Sequence, residues 1–379
     1  MTFATLTYLI TVLWHAIGTS TTVETPLGKI EGVMSKVNGA PIKMFLGVPF
    51  AKLPVGSRRF LKPESVEAWI GTLKANKTSS CMHAAYRIAI PMLPVLFWIH
   101  GGGYTLGSNR MDVYDGRVLA QREDVVVVIT NYRVGLFGFL TSNTSDVLGN
   151  VGLYDVVMAL RWVKDNIEYF GGDKDRITIS GESDGHPDEF GFFGQKNPKI
   201  NKTHATSLLQ STFSNYTDPQ KYIDFYLKDI PDDDYDLIRR QVYTAIGDTT
   251  LLCPTLYFAE SYAERNRDAY FYFLTHRPSN TPWAKWMGVA HFEDVQFVFG
   301  RPVRVPKDYN RKEIRLSSQV MKLWANFAKN GHPGVLYPKW PKYSKENHTY
   351  MTIDVDHFGR LGTGPHMENC DFLRSYFGF

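Results

Sequence analysis

Short apolar runs bounded by glycine-rich turns alternate with longer amphipathic segments along this chain of 379 residues. Residues 22–50 alternate apolar and polar positions, which predicts twisted antiparallel strands. The run VVVVIT at 125–130 has no polar alternation, so we expect a strand buried on both faces of a parallel sheet. Residues 150–170 and 311–329 carry apolar side chains at helical spacing, which predicts two long helices.

The second of these helices has clear end signals. Asn330 and Gly331 follow it as a C-cap, and its apolar positions predict a buried face, comprising Ile314, Met321, Trp324 and Phe327. Three further apolar runs at 95–100, 176–180 and 268–275 predict strands. Strand, helix and strand in this order indicate an α/β fold, in which helices cover a mostly parallel sheet.

Composition agrees with an ordinary globular protein. Hydrophobic residues make up 44% and charged residues 21% of the chain, which argues against disorder. The formal net charge of +4 is mild, and charges of both signs are interspersed, so nothing favours a nucleic-acid partner. The length suits one large α/β domain or two smaller ones.

The N-terminus reads as an export signal. Residues 3–18 are apolar and uncharged apart from His15, and Ala16 and Gly18 are small residues at the spacing that a signal peptidase accepts. We therefore predict a signal peptide at 1–20 and a secreted, extracellular protein; a buried N-terminal helix is the alternative. The rest of the chain has no apolar run long enough to predict a transmembrane span.

Secretion predicts glycosylation sites and disulfides. Five asparagines stand in acceptor sequons: Asn76, Asn143, Asn201, Asn215 and Asn347. The chain has three cysteines, Cys81, Cys253 and Cys370, and this odd number leaves one thiol over or pairs it with another chain.

A Gly-x-Ser-x-Gly pattern at 181–185 directly follows a predicted strand. In serine hydrolases this pattern places the serine on a tight turn from a strand to a helix. Here the helix is interrupted, because Pro187 falls four residues after Ser183 and glycines follow. A chance match in a loop is therefore the alternative.

A second glycine-rich motif, HGGGY at 100–104, also follows a predicted buried strand. Backbone N–H groups in such a loop can stabilise a developing oxyanion, since no side chain blocks their approach. A plain tight turn is the alternative. Two such motifs in this order are more specific than either one alone.

With these two motifs in this order, the chain resembles the type-B carboxylesterases, the family that includes the cholinesterases. The resemblance covers nearly everything after the predicted signal peptide. It rests on FLGVPFAKLPVGSRRF (45–60), LPVLFWIHGGGYTLGS (93–108), NYRVGLFGFL (131–140), NVGLYDVVMALRWVKDNIEYFGGDKDRITISGES (150–183), WAKWMGVAHFEDVQFVFGRP (283–302) and MKLWANFAKNGHPG (321–334).

The resemblance implies an α/β-hydrolase fold and a serine hydrolase site. It implies Ser183 as the nucleophile, His291 as the base and Glu189 as the acid. A base must take the serine proton, and an acid must orient that base and stabilise its cation. It also implies three oxyanion donors, the backbone N–H groups of Gly102, Gly103 and Asp184. It further implies substrate contacts from Glu182, Tyr114 and Trp283.

The same resemblance implies a disulfide between Cys253 and Cys370, which would leave Cys81 free or joined to another chain. A homo-oligomer or a mixed disulfide through Cys81 is then possible. The implied substrate is a small ester, and no metal or organic cofactor is implied.

The chain departs from the family in two places. Only six positions separate Ser183 from Glu189. In the family the nucleophile and the acid are far apart in sequence, so we predict a missing segment near 184–186. A second gap is predicted near 81–91, and the choline-binding tryptophan of cholinesterases falls within it. The predicted carboxylesterase domain otherwise spans 21–379.

These departures predict a weak site. By resemblance the chain is a carboxylic ester hydrolase; the alternatives are a catalytically silent truncated form or a non-enzymatic binding or adhesion protein. The missing segment would leave an edge strand exposed, and the Asp184 carboxylate would oppose the oxyanion. We expect the wild-type chain to hydrolyse p-nitrophenyl acetate no faster than its Ser183→Ala variant does.

Overall fold

A computed structural model of the chain describes residues 9–15, 21–77, 92–183, 198–334 and 339–378. The strands within these residues are β1 Leu9–His15, β2 Thr22–Thr25, β3 Gly28–Glu31, β4 Val33–Val37, β5 Ala40–Pro49, β6 Thr72–Lys74, β7 Leu93–Ile99, β8 Val126–Thr130, β9 Thr141–Thr144, β10 Val147–Leu148, β11 Gly172–Gly181, β12 Phe271–Leu274, β13 Thr349–Ile353 and β14 Leu361–Thr363.

The α-helices within the same residues are α1 Arg117–Glu123, α2 Leu136–Phe139, α3 Val151–Asn166, α4 Lys202–Thr212, α5 Pro219–Leu227, α6 Tyr235–Gly247, α7 Cys253–Glu264, α8 Val295–Val298, α9 Arg301–Arg304, α10 Arg311–Asn330 and α11 Met367–Leu373. A π-helical turn, Asp248–Leu252, joins α6 to α7. No helix in the described ranges combines the length and the apolar character that a membrane span needs.

The chain divides into two compact units. Unit 1 combines 1–184 with 294–334, and unit 2 combines 185–293 with 335–379. This is an α/β protein, with helices and sheets in both units.

The largest sheet of unit 1 has the strand order β11-β7-β8-β1-β5-β4. Its β11, β7 and β8 strands run parallel, whereas β1 pairs antiparallel with both β8 and β5, and β5 pairs antiparallel with β4. The sheet is therefore mixed, and the expected mostly parallel order holds only for its β11-β7-β8 part. Strand β1 lies within the predicted signal peptide, whose removal stays a prediction.

The centre of this sheet is buried. All five residues of β8 are fully buried, as the unbroken β-branched run predicted. At the end of the sheet the opposite holds: among the described residues β11 pairs on one side only, with β7, and Ile179 of β11 is 57% exposed. A β11 edge without a partner strand among the described residues is the arrangement that the proposed missing segment implies.

Both predicted long helices form. Helix α3 continues as a 3₁₀ turn to Phe170 and ends at Gly171, whose φ of 77° needs glycine's freedom. Helix α10 begins at a capping box, in which the Asn310 side chain accepts from the Glu313 N–H and the Glu313 carboxylate accepts from the Asn310 N–H.

The buried face of α10 differs from the prediction. Met321 is buried as expected, but Phe327 is 39% exposed. The apolar residues that are almost fully buried include Leu316, Val320 and Leu323 instead. Ile314 and Trp324 are half-buried, so the prediction was wrong for Phe327, because the neighbouring elements of the unit cover the adjacent face.

Unit 2 packs α4 to α7 around one apolar cluster, which includes Leu209, Phe213, Val242 and Tyr257. Its small sheet has the order β12-β13-β14, with β12 and β13 parallel. Three of its helices start at side-chain caps, in which Asn201, Asp218 and Asp234 accept from a backbone N–H three residues later.

A disulfide joins Cys253 at the start of α7 to Cys370 in α11, with 5.2 Å between their Cα atoms. Both half-cystines are fully buried in the apolar cluster. The predicted pairing is thus confirmed, and it ties the C-terminal helix to the helical part of unit 2. Cys81 lies outside the described residues.

Candidate active site

The nucleophile candidate lies at the end of β11. Ser183 follows the last strand residue, Gly181, by two positions and has a φ of 28°, in the left-handed region that non-glycine residues rarely adopt. The Glu182 N–H donates to the Ile99 carbonyl at the end of β7. The predicted strand and sharp turn are therefore present, and backbone strain at a candidate nucleophile is typical of a functional site.

The glycine-rich loop begins where the neighbouring strand β7 ends. Gly102 and Gly103 have φ values of 122° and 60°, which favour glycine. The Gly102 carbonyl accepts from the N–H groups of Thr105 and Leu106, both at 3.1 Å, so the loop is closed by its own backbone.

The two motifs meet within unit 1. A Cβ at Gly101 would lie 2.7 Å from the Ser183 carbonyl oxygen and would overlap the Glu182 carboxylate. Only glycine allows so close an approach. Because β7 and β11 are adjacent and parallel, their carboxyl ends bring the candidate oxyanion loop and the candidate nucleophile to the same edge of the sheet.

Glu182 beside the nucleophile has an unusual environment. The Tyr114 hydroxyl donates to Glu182 Oε1 at 3.1 Å, and Tyr114 is itself 1% exposed. Burial raises the pKa of Glu182 to about 7, and the Asp294 carboxylate also raises it, while the Tyr114 hydrogen bond opposes the shift. Burial and Glu182 together raise the pKa of Tyr114 well above its usual value, so Tyr114 stays a donor.

His100 opens the glycine loop but is a poor candidate for a base. It is 1% exposed and stacks on Tyr132, with 4.5 Å between the ring centroids. Burial lowers the pKa of His100 to about 4, so the ring is neutral at physiological pH. The Tyr132 hydroxyl donates to the His100 carbonyl at 2.9 Å and thereby holds the start of the loop.

A buried ion pair lies next to a backbone contact of the glycine-rich loop. Arg133 and Asp155 are 1% and 0% exposed, and the Arg133 Nε and Nη2 atoms donate to the two carboxylate oxygens at 2.9 and 2.8 Å. Arg133 also donates to the Arg59 carbonyl. Two residues on, the Gly135 N–H donates to the Tyr104 carbonyl of the glycine loop. Sequence reasoning missed this pair, although 131–140 was part of the family resemblance.

His291, the predicted base, lies in unit 2. Its backbone N–H contacts the hydroxyl of the half-buried Tyr243. The next residue, Phe292, has a φ of 79°, which is strained for a bulky side chain. Glu293 is 5% exposed and accepts a hydrogen bond from Thr281. This turn holds the His291 backbone in place.

The predicted site residues thus fall into three groups. Unit 1 brings together the loop of Gly102 and Gly103 with Ser183, Glu182 and Tyr114. Unit 2 contains His291 and Trp283, whose carbonyl accepts from Arg277. Asp184 and Glu189 lie outside the described residues, and the catalytic triad stays a prediction.

The predicted glycosylation sites lie at the surface where they are described. Asn76, Asn201, Asn215 and Asn347 are exposed, and the Asn143 side chain is outside the description. Glycosylation stays a prediction.

Known proteins match almost the whole chain. The model of the carboxylesterase family matches in three pieces, at 19–91, 89–186 and 189–373. An acetylcholinesterase-1 of Trittame loki is 29% identical, with 94% of both chains covered. A cholinesterase of Mus musculus is 26% identical, with 94% of this chain and 86% of that protein covered. An acetylcholinesterase of Leptinotarsa decemlineata is also 26% identical, with 93% of this chain and 85% of that protein covered.

The alignments with these relatives extend over 522 to 538 positions and are longer than the chain itself. Parts of each relative therefore have no counterpart here. The breaks between the three pieces of the family match fall at 89–91 and 186–189. Together with the paired motifs at the ends of β7 and β11, these matches establish that the chain belongs to the carboxylesterase family.

Proposed function

We propose that the chain is a serine carboxylic ester hydrolase of the cholinesterase type, which acts on small esters through an acyl-enzyme on Ser183. The observation that carries the proposal is the contact in unit 1 between Gly101 and the Glu182–Ser183 turn. It brings the backbone of a candidate oxyanion loop against a strained serine at the end of a strand.

In the proposed reaction, Ser183 Oγ attacks the ester carbonyl carbon while His291 takes the hydroxyl proton. Glu189 orients His291 and stabilises its cation. The backbone N–H groups of Gly102, Gly103 and Asp184 stabilise the oxyanion. His291 then returns the proton to the departing alcohol, and afterwards activates a water that cleaves the acyl-enzyme and regenerates Ser183.

Glu182 and Tyr114 define the proposed wall beside the nucleophile. A Glu182 that titrates near pH 7 is only partly charged at neutral pH, so its attraction for a cationic substrate is reduced. The choline-binding tryptophan of cholinesterases is also absent from the sequence. Both features favour neutral small esters as substrates, with Trp283 as a proposed substrate contact.

The proposed fold is an incomplete α/β-hydrolase. The parallel order β11-β7-β8 supports it, and the antiparallel β1 differs from a mostly parallel sheet. The three-piece family match and the long alignments support missing segments near 81–91 and 184–186. We further propose secretion after removal of 1–20, with Cys81 free or bridged to another chain.

A catalytically silent, esterase-like binding protein is the second candidate function. It is favoured by the edge of β11, which is unpaired among the described residues, because a strand that should be central then supports the nucleophile from one side only. A carboxylate from Asp184 at ~5 Å from the oxyanion would also cost about 3 kcal/mol at an effective dielectric of ~20, or some two orders of magnitude in rate.

Labelling and turnover measured on the same preparation test the proposal. The purified chain is treated with an organophosphate, and the modified residue is located by peptide mass spectrometry. Hydrolysis of p-nitrophenyl acetate is then compared between the wild type, Ser183→Ala and Ser180→Ala, in which another serine of the same segment is changed.

An adduct on Ser183, with turnover lost in Ser183→Ala and kept in Ser180→Ala, would establish the hydrolase. Absence of an adduct, with equal rates in all three proteins, would rule it out and favour the silent binding protein. That second outcome is also the one expected from the sequence, because the predicted missing segment near 184–186 weakens the site.

A further inference from the structure

The start of the C-terminal helix α11 is held by one buried carboxylate of unit 2. We propose that the ion pair between Asp248 and His366 is a pH-sensitive contact that holds the N-terminal end of α11 at mildly acidic pH and loosens as the pH rises. This pair lies within unit 2 and does not depend on any assignment of the candidate active site.

Asp248 is the centre of a small polar cluster. It is 1% exposed and opens the π-helical turn between α6 and α7. Its Oδ1 lies 2.6 Å from His366 Nδ1, and its Oδ2 accepts from Asn369 Nδ2 at 2.6 Å and from the Tyr226 hydroxyl at 3.0 Å. Two of these three partners belong to the start of α11, and π-helical turns are frequent at functional positions.

His366 is suited to sense pH. Its side chain is 42% exposed, so it exchanges protons with solvent, while the carboxylate that it faces is buried. It also has a φ of 54°, a conformation that costs energy for a non-glycine residue and persists only where contacts maintain it. Loss of charge on His366 therefore weakens the contact that maintains this strained helix start.

The charged and titratable groups around His366 come from three elements. Asp248 in the π-helical turn favours the imidazolium, and Arg240 in α6 opposes it. Tyr226 in α5 contacts the same carboxylate, and its pKa is raised far above its usual value by burial, so it stays a neutral donor. The aspartate has the largest effect, because it contacts the ring directly.

The other end of α11 is held through Arg374, whose guanidinium stays charged across this pH range, and its partner Glu260 also contacts His348 Nε2 at 3.2 Å. Arg374 donates to Glu260 at 2.7 Å and lies over the Tyr257 ring at 4.9 Å. The Cys253–Cys370 disulfide ties the middle of the helix covalently. Loosening at His366 therefore opens the first turn of α11 and leaves the rest of the helix attached.

The direction of the pH dependence follows from the sign of the shift. The hydrogen bond and charge of Asp248 raise the pKa of His366 above its ordinary value of about 6.5. Because this pKa is raised in the folded state, the charged histidine stabilises the folded helix start. The stabilisation is fully present at pH values below the ordinary pKa of histidine. That stabilisation is lost as the pH rises through the raised value.

Hydrogen exchange of the full-length, oxidised protein tests the proposal. Exchange in peptides covering 364–372 is measured between pH 5.5 and 9 and corrected for the intrinsic exchange rate. The variants are His366→Gln, which cannot charge, and His366→Arg, which stays charged. The matched control is His357→Gln, since His357 also faces an aspartate, Asp354, but its side chain is 59% exposed and it lies outside α11.

In the wild type and in His357→Gln, the opening equilibrium of the first turn should rise about two- to fivefold from low to high pH, as expected for a partly exposed ion pair. It should be independent of pH in both His366 variants, high in His366→Gln and low in His366→Arg. A pH-independent wild type, or a His366→Arg variant that keeps the wild-type slope, would overturn the proposal.

Discussion

The Tyr114 hydroxyl donates a hydrogen bond of 3.1 Å to Oε1 of Glu182, the residue directly before the candidate nucleophile. The two residues are 68 positions apart, and the packing of Tyr114 against Trp98 and Phe299 orients the tyrosine. The hydrogen bonds from the Tyr114 hydroxyl and the Gly101 N–H do not compensate for the burial of the carboxylate, and the pKa of Glu182 therefore lies near 7.

Glu182→Gln should change the pH dependence of stability. The folded-state pKa of Glu182 is raised from 4.5 to about 7, so the folded protein binds the proton more tightly, and its stability falls as the pH rises from about 4.5 through 7. The variant lacks this loss and should be more stable than the wild type by about 1–3 kcal/mol at pH 8, with little difference at pH 4.

Denaturant unfolding at pH 4, 6 and 8 measures the effect. Glu168→Gln serves as the control, because Glu168 is an exposed carboxylate of the same unit whose side chain is 45% exposed. Equal stability differences for Glu182→Gln at pH 4 and pH 8 would contradict the prediction.

Gly101→Ala should damage the contact between the two motifs. The new methyl group would lie 2.7 Å from the Ser183 carbonyl oxygen, which is backbone and cannot swing away. We expect a stability loss of about 1–3 kcal/mol and, if the protein is an esterase, a fall in kcat of about tenfold or more. Gly247→Ala is the control: among the described residues, no atom outside its own stretch of helix lies within 4 Å of its Cβ position at the end of α6, so it should be neutral or stabilising.

Breaking the buried ion pair behind the glycine loop should be costly. Asp155→Ala leaves the Arg133 guanidinium buried without its carboxylate, at an expected cost of about 3–5 kcal/mol. Asp175→Ala removes a carboxylate that is 74% exposed and pairs with Lys164, and it should cost no more than about 1 kcal/mol. Similar midpoints of urea unfolding for the two variants would refute this ranking.

The disulfide should carry much of the stability of unit 2. Cys253 and Cys370 are 117 positions apart, and closing a loop of this size contributes about 4–5 kcal/mol in the chain-entropy description. Cys253→Ala should therefore lower the unfolding temperature strongly, whereas Cys81→Ala should not. Peptide mapping without reductant provides a second check, in which a link from Cys81 to either half-cystine would be inconsistent with our assignment.

Choline esters should not be preferred over neutral esters of the same size. The missing tryptophan removes a cation–π interaction of about 0.5–2 kcal/mol, and a partly protonated Glu182 reduces the remaining attraction. The measurement is the ratio of kcat/KM for acetylthiocholine to that for its isosteric neutral thioester. A ratio well above tenfold would contradict the prediction.

The sequence by itself determined the local elements and the family. An unbroken β-branched run produced the buried β8, helical spacing with an Asn–Gly end produced α10, and a strand before Gly181 produced the sharp turn at Ser183. These features follow from backbone preferences and side-chain periodicity over a few residues, so they can be read without knowing the fold.

Tertiary structure alone decided the contacts between distant residues. It paired Tyr114 with Glu182, Arg133 with Asp155 and Asp248 with His366, the last two residues being 118 positions apart. It also selected which face of α10 is buried and made the main sheet of unit 1 mixed. Burial in the folded units sets the pKa of Glu182 and the strength of each ion pair, and no local pattern encodes burial by distant segments.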